Sequence, residues 1–253
     1  MNTTNTNNSS SADGANTSLT KRDALLEIVA RARALEQTLA DFFDERARAA
    51  TGTVEAWAAK DHFAHITVWQ DWQAQRLAAI ATGNPPARPA DNDVVFAEYR
   101  DQPWDATWAR AMRALDDDAA VVAQTAEEDL TDPTRFPWSN GRSFVSSFIS
   151  NVYLHPVEHL VQMYEERGDE AAAEQVQLES VALIRDLFGK GEEYANAVYN
   201  LGCFYAKRGR ASDAIARVGD ALAVNSGLIE WSKEDPDLDS LRDLPEYQAL
   251  YTA

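Results

Sequence analysis

The spacing of apolar residues restricts the fold of this chain more than any other feature, because they recur at intervals of three and four almost throughout. The first such segment shows the pattern at Leu25, Ile28, Val29, Leu35, Leu39 and Phe42. This spacing places the side chains on one face of an α-helix. No stretch of any length alternates apolar and polar residues as a half-buried β-strand would. The sequence therefore predicts an all-α protein.

Four long helices are predicted in the first two thirds of the chain. The first begins at a cap on Ser18 or Thr20 and runs to about Ala50; the others run from about Ala58 to Thr82, Asp93 to Asp129 and Arg142 to Arg167. The segment GNPPARP ends the second helix, and DQPWD breaks or kinks the third, because Pro103 lacks a backbone N–H. Pro156 predicts a kink in the fourth helix, and Gly168 its end. Together these helices predict a bundle over residues 18–169.

Two regions flank the predicted bundle. The opening segment MNTTNTNNSSSADGANTS has neither the basic start nor the apolar core of a secretory signal, so residues 1–17 are predicted to be a disordered tail. Residues 170–253 contain shorter helical segments separated by GKGEE, KRGRAS and VNSGL. The shorter helices and more frequent breaks predict a second helical unit.

Composition excludes several classes of function. The chain has 41 acidic and 23 basic residues, a net charge of −18, and both of its halves are acidic. Nucleic acids and anionic membranes select clustered Lys and Arg, so neither is an expected partner. No apolar run reaches the length of a membrane span. The single cysteine, Cys203, rules out an internal disulfide framework. It predicts a buried thiol in a reducing, cytoplasmic compartment.

All four histidines lie in two short segments. His62 and His65 occur in EAWAAKDHFAHITVWQDW, and His155 and His159 occur in NVYLHPVEHLVQMYEERG. Two histidines four residues apart on a helix can direct two nitrogens at one point. A catalytic metal site normally has three protein ligands, so a third would have to come from another helix. By itself the HxxxH pattern also fits packed or solvent-facing histidines.

The pattern of Trp57, Lys60-Asp61 and His65, followed about ninety residues later by HxxxH, resembles the DinB-like, or YfiT-like, four-helix-bundle superfamily. The resemblance covers about residues 18–169. It implies that His65, His155 and His159 bind one divalent metal ion, zinc or nickel. It also implies a metal-dependent enzyme acting on a small molecule, by thiol-dependent S-transfer or by hydrolysis, with a low-molecular-weight thiol as a cosubstrate.

Other residues near the histidines have two interpretations each. Asp61 could orient His65 from behind, or it could complement the exposed N–H groups of its helix's first turn. Glu158 is expected to face solvent or to support a ligand. His62 is three residues from His65 and could point into the same cavity, but it does not match a family ligand position, and the favoured expectation is the helix surface or a dimer contact. The aromatic residues expected in the core are Trp57, Trp69, Trp72 and Tyr153.

The segment HPVEH is also literally HxxEH, the signature of inverted zincins, in which Glu158 would activate water. Those peptidases have a mixed α/β fold and a further acidic ligand. This chain shows no strand pattern, so a peptidase is the weaker interpretation.

The segment AVYNLGCFYAKRGRASDAIARVGDALAVNS resembles a tetratricopeptide repeat. The matching positions are Leu201, Gly202, Tyr205, Gly209, Ala214 and Ala221. The following IEWSKEDPDLDSLRDLPEYQALY resembles a closing segment, in which Trp231, Leu238, Leu241 and Tyr247 are expected to cover the last helix. One repeat cannot bury its own faces, so the unit should pack on the bundle or on a second chain. It would serve as a partner-binding module, a packing element or a homodimer contact.

A second hypothesis comes from a different class of function. The sequence shows no clear acid, base or nucleophile beyond the proposed metal ligands. A non-catalytic ligand-binding or stress-protection protein, with a helical extension that recruits a partner, is therefore the alternative to an enzyme.

Overall fold

The computed structural model describes residues 19–139 and 143–252. All regular structure in these ranges is helical, which confirms the all-α prediction. The predicted tail lies outside the described residues, as do Ser18 and Arg142. The α-helices are α1 Lys21–Asp41, α2 Glu45–Ala49, α3 Ala59–Ala78, α4 Asn92–Tyr99, α5 Trp104–Gln124, α6 Glu127–Thr131, α7 Phe144–Ile149, α8 His155–Glu166, α9 Glu170–Phe188, α10 Glu192–Lys207, α11 Ala211–Val224, α12 Ile229–Glu234 and α13 Pro245–Gln248.

Helix α1 begins as predicted but is shorter. The Thr20 hydroxyl accepts a hydrogen bond from the Asp23 N–H at 3.0 Å and so caps the helix. The helix ends at Asp41, and the prediction that it continues to Ala50 is wrong. The reason is a second cap, since the Asp44 carboxylate accepts from the Ala47 N–H at 2.8 Å and starts α2. Capping therefore overrides the apolar spacing at this point.

Helix α3 matches its prediction closely, ending in a 3₁₀ turn over Ala79–Ala81. The third predicted helix is three pieces, α4, α5 and α6. The break before α5 lies at Pro103, as expected. A second, unpredicted break lies at Thr125 and Ala126, whose backbones are extended. This break places the Glu127 carboxylate at the start of α1, where it accepts from the Lys21 N–H at 2.6 Å.

The fourth helix is continuous from α7 to α8 through a π-helical turn, Ser150–Leu154. The His155 N–H donates to the Ser150 carbonyl five residues earlier, which is the bonding pattern of a π turn. The irregularity that Pro156 predicts is therefore a widened turn directly before His155. Gly168 ends the helix in a left-handed conformation, with φ of 75°, as expected.

The four long segments α1, α3, α5 and α7–α8 pack together around a shared apolar core. Leu25 and Ile28 of α1, Leu115 of α5 and Phe148 of α7 are fully buried in it, and Phe63 of α3 is fully buried in an adjoining apolar cluster. Each such side chain contributes about 1.5–3 kcal/mol by leaving water. None of the helices in the described ranges meets the length and hydropathy needed to cross a bilayer.

The C-terminal helices pack on this core rather than standing apart. Helix α9 lies against α8, and α10 lies against α9 and α11. Gly202 permits the close approach of α10 to α11, because a Cβ there would lie 2.8 Å from Val218 Cγ2. Leu238, Leu241 and Tyr247 are buried as expected. Trp231 is 56% exposed, so its expected role as a cover for the last helix is wrong.

Candidate metal centre

The three histidines predicted from the sequence meet at one point. The Nε2 atoms of His65 and His155 lie 2.9 Å apart, and those of His155 and His159 lie 3.2 Å apart. All three offer ligand atoms within 4.8 Å of one another. In a tetrahedral site with metal–nitrogen bonds of 2.0–2.1 Å, two ligand nitrogens lie about 3.3 Å apart. Helices α3 and α8 therefore hold the imidazoles at the spacing that one ion requires.

The chemistry of the donors fits a cation as well. A neutral imidazole nitrogen either donates a proton or accepts one, and His155 Nε2 faces two other Nε2 atoms. Three lone pairs directed at one point repel one another unless a proton or a metal ion lies between them. A divalent ion accepts all three lone pairs together.

Burial keeps these imidazoles neutral. Burial, with a smaller contribution from a neighbouring imidazole in each case, lowers the pKa of His65 to about 4 and that of His155 to about 3. The pKa of His159 lies well below its usual value, again chiefly because of burial. Metal ligation requires the neutral form, so the three side chains are ready to bind at neutral pH.

His62 is buried beside this cluster, and its expected place on the surface or at a dimer contact is wrong. It is 4% exposed, and its Nδ1 lies 3.0 Å from His159 Nδ1. If His159 offers its Nε2 lone pair to a metal, its Nδ1 carries the proton and can donate to His62. His62 would then orient His159 from behind. His62 and His65 are three residues apart and therefore lie on one face of α3. This spacing is the sequence signal that could have placed His62 beside the other histidines.

Asp61 does not orient His65. Its Oδ2 accepts from the Ala58 N–H at 2.8 Å, which is the helix-start role considered as its alternative. Within residues 19–139 and 143–252, the buried His65 Nδ1 has no hydrogen-bond partner. The packing of the helices, and not a carboxylate, fixes the orientation of this imidazole.

Aromatic side chains surround the cluster. Tyr153 is buried as expected, but Trp57 is only partly buried and faces a cavity, so its assignment to the core is wrong. The centroid of its ring lies 4.9 Å from that of His65. Trp69 and Trp72 are also partly buried, and Trp69 lies 6.4 Å from the His155 ring. Trp57 therefore shields the imidazoles on their open side.

His65, His155 and His159 line a cavity of about 740 Å³. Glu158 lines it, and its Oε1 accepts from Asn200 Nδ2 at 3.2 Å. The Glu158 side chain reaches cavity water, yet the surrounding protein desolvates it and raises its pKa to about 7. The carboxylate is thus directed toward α10.

Cys203, on α10, is buried as predicted and also lines this cavity. Its Sγ lies 3.8 Å from Asp235 Oδ2, and burial raises the thiol pKa above its ordinary value. The thiol is therefore not an activated nucleophile. Cys203, Asp235 and Asp237 form a second group whose ligand atoms lie within 4.8 Å of one another.

Fold and site together define an all-helical protein with a cluster of buried imidazoles lining a polar cavity. Comparison with known proteins does not assign the chain to a more specific family, because no protein-family model, curated protein or solved structure matches it.

Proposed function

We propose that this protein is a metal-dependent enzyme that acts on a small molecule, with His65, His155 and His159 as the ligands of one divalent ion. The observation that carries the proposal is the convergence of three Nε2 atoms beside a cavity large enough for a substrate. The resemblance to the DinB-like superfamily supports the same three ligands. Three neutral ligands leave the charge of the ion intact and at least one coordination position open.

The protein's own residues would perform three tasks. His65, His155 and His159 present lone pairs, because burial keeps them unprotonated. His62 holds His159 in the tautomer that ligation needs. Trp57 covers the site and limits the access of water.

A bound ion would supply a nucleophile by lowering the pKa of a thiol or of water. The proposed reactions are therefore S-transfer from a low-molecular-weight thiol, or hydrolysis. Zinc and nickel both accept imidazole nitrogen, and both are consistent with this ligand set.

Metal analysis of the purified protein tests the proposal. The wild type should contain one divalent ion per chain, and His65→Ala, His155→Ala and His159→Ala should each lose it. Gln162→Ala is the matched control, because Gln162 lies one turn beyond His159 on α8 and lines the same cavity. Equal metal content in all of these variants would refute the site. A screen of electrophiles with common cellular thiols would then identify the turnover that depends on the metal.

A non-catalytic binding protein is the second candidate, and one observation favours it. The thiol of Cys203, a nucleophile type that lines the cavity, has a raised pKa and is inactive. Such a protein would bind metal and ligand without turnover, and its C-terminal helices would recruit a partner. The peptidase reading is weaker, because Glu158 bonds to Asn200 and the described ranges contain helices and no strands.

A further inference from the structure

The C-terminal helices supply about half of the residues that line the cavity containing the histidines. Asn196, Tyr199, Asn200 and Lys207 of α10 contribute to it, and so does the segment from Trp231 to Asp237. The C-terminal region is thus more than a packing element, because it forms half of the space in which a substrate would lie.

Among the described residues, two carboxylates that line this cavity form no ion pair. Glu165 forms an ion pair with Arg208, and Asp237 forms one with Lys207 at 3.4 Å. Lys207 is also the one basic side chain among the described residues that line the cavity. Glu158 and Asp235 form no ion pair within the described part of the chain.

The partners of these two carboxylates are neutral. Glu158 accepts from the Asn200 amide, and Asp235 accepts from the Tyr199 hydroxyl at 2.8 Å and from the Asp237 N–H at 3.0 Å. Asp235 is only 6% exposed. Removing a carboxylate from water without a counter-ion is costly, so a cation in the cavity would be strongly favoured there.

An exposed indole accompanies the carboxylates. Trp231 and Asp235 lie one helical turn apart, with the Asp235 N–H donating to the Trp231 carbonyl at 2.9 Å. Both line the cavity, although Trp231 is a large apolar side chain that is more than half exposed. Indole faces attract ammonium groups, most strongly where water is excluded.

We propose that this cavity binds the cationic, amine-derived part of a small-molecule substrate, with Glu158 of α8 and Asp235 of the C-terminal region as counter-ions and Trp231 against the cation. The assignment of that molecule as a substrate rests on the proposed function, while the binding of the cation does not. The reacting group of the same molecule would extend toward the histidines. The C-terminal helices would thus determine which substrates enter.

A matched pair of probes tests this proposal on the full-length, metal-loaded protein. Choline carries a quaternary ammonium, and 3,3-dimethylbutan-1-ol has the same shape without the charge. Ligand-observed NMR titration should give choline a dissociation constant in the millimolar range, as expected for a ligand of this size, and about tenfold tighter binding than the alcohol. Metal content is measured on each sample.

Variants then locate the binding site. Glu158→Gln and Trp231→Leu should each weaken choline binding about five- to tenfold. Binding of the alcohol should be unchanged in Glu158→Gln and should weaken less than that of choline in Trp231→Leu, because leucine still offers apolar contact but no cation–π attraction. Glu234→Gln is the matched control, because this substitution removes the same charge next to Asp235, whereas the Glu234 side chain is exposed and does not line the cavity. Asp235 is left intact, since its carboxylate also holds Tyr199 and the Asp237 backbone.

The outcomes separate this proposal from the proposed function. Equal binding of both probes to metal-loaded protein, or choline binding unaffected by Glu158→Gln and Trp231→Leu, would overturn the cation site alone. Selective choline binding that these variants weaken, in protein that contains no metal, would support the cation site and overturn the metal centre.

Discussion

Replacing Glu36 with glutamine should stabilise the protein at neutral and alkaline pH. Glu36 lies on α1 and is fully buried, and its Oε1 accepts from Gln70 Nε2 at 2.5 Å. In the described ranges neither Glu36 Oε2 nor Gln70 Oε1 has a partner. A proton on Glu36 Oε2 would turn this oxygen into a donor, and Gln70 Oε1 could then accept a hydrogen bond from it. Burial accordingly raises the pKa of Glu36 to about 8.

The size of the expected change in unfolding free energy follows from the linkage between protonation and folding. The folded pKa of Glu36 lies above its unfolded value, so the stability associated with its proton is complete below about pH 4.5. That stability is lost as the pH rises toward about 8, because the unfolded state ionises first. The gap between 4.5 and about 8 corresponds to about 5 kcal/mol of unfolding free energy at most. Glutamine at this position has no proton to lose.

Urea denaturation of the wild type and Glu36→Gln between pH 5 and 8 measures the effect. Relative to the wild type, Glu36→Gln should gain several kcal/mol of unfolding free energy over this range. The buried histidines, Glu158 and Asp118 also make stability depend on pH, but both proteins carry these groups, so their contributions largely cancel in the difference. Glu27→Gln, a partly exposed carboxylate on α1, is the control and should match the wild type. Identical pH slopes in the wild type and Glu36→Gln would refute the reasoning.

Three further predictions concern the histidine cluster and the C-terminal helices. His62→Ala should retain the metal site but lower its affinity for the metal about 10–100-fold, because His159 would lose the contact that orients it. Competition with a chelator measures this affinity, and an unchanged value would show that His62 does not support His159. Gly202→Ala should destabilise the protein by about 1–3 kcal/mol in urea, because its Cβ would meet Val218, whereas Gly191→Ala has room; equal effects would contradict this. Deleting residues 190–253 should lower solubility and increase dye binding to exposed apolar surface, and a truncated chain as soluble and thermostable as the full chain would show that the region is independent.

The helical class and the pairing of His155 with His159 follow from local spacing, which a sequence expresses directly, whereas His65 is implied as their partner only by the resemblance to the DinB-like superfamily. His155 and His159 share a face because they are four residues apart. His65 joins them because α3 packs against the π turn that precedes α8. The early end of α1 was harder to foresee, because the cap at Asp44 competes with an apolar spacing that continues past it.

The position of His62 and the cavity could not be predicted from spacing alone. The contact between His62 and His159 joins residues 97 positions apart, and it depends on the rotation of α3 relative to α8. Trp57 and Trp231 belong to the aromatic class that favours cores, yet both face the cavity. Their exposure results from how the C-terminal helices meet α8, and no local pattern encodes that contact.

The polar residues of α10 explain why a repeat-like segment need not imply a separate partner. Asn196 Nδ2 donates to Ser146 Oγ at 2.6 Å, and Asn200 donates to Glu158. The face of α10 that could have recognised another protein is thus partly occupied by α7 and α8 of the same chain. What this face leaves uncovered is the cavity, which Tyr199, Cys203 and Lys207 of α10 line together with the two asparagines. If the cavity binds the proposed substrate, a change at these positions of α10 should alter ligand binding before it alters assembly.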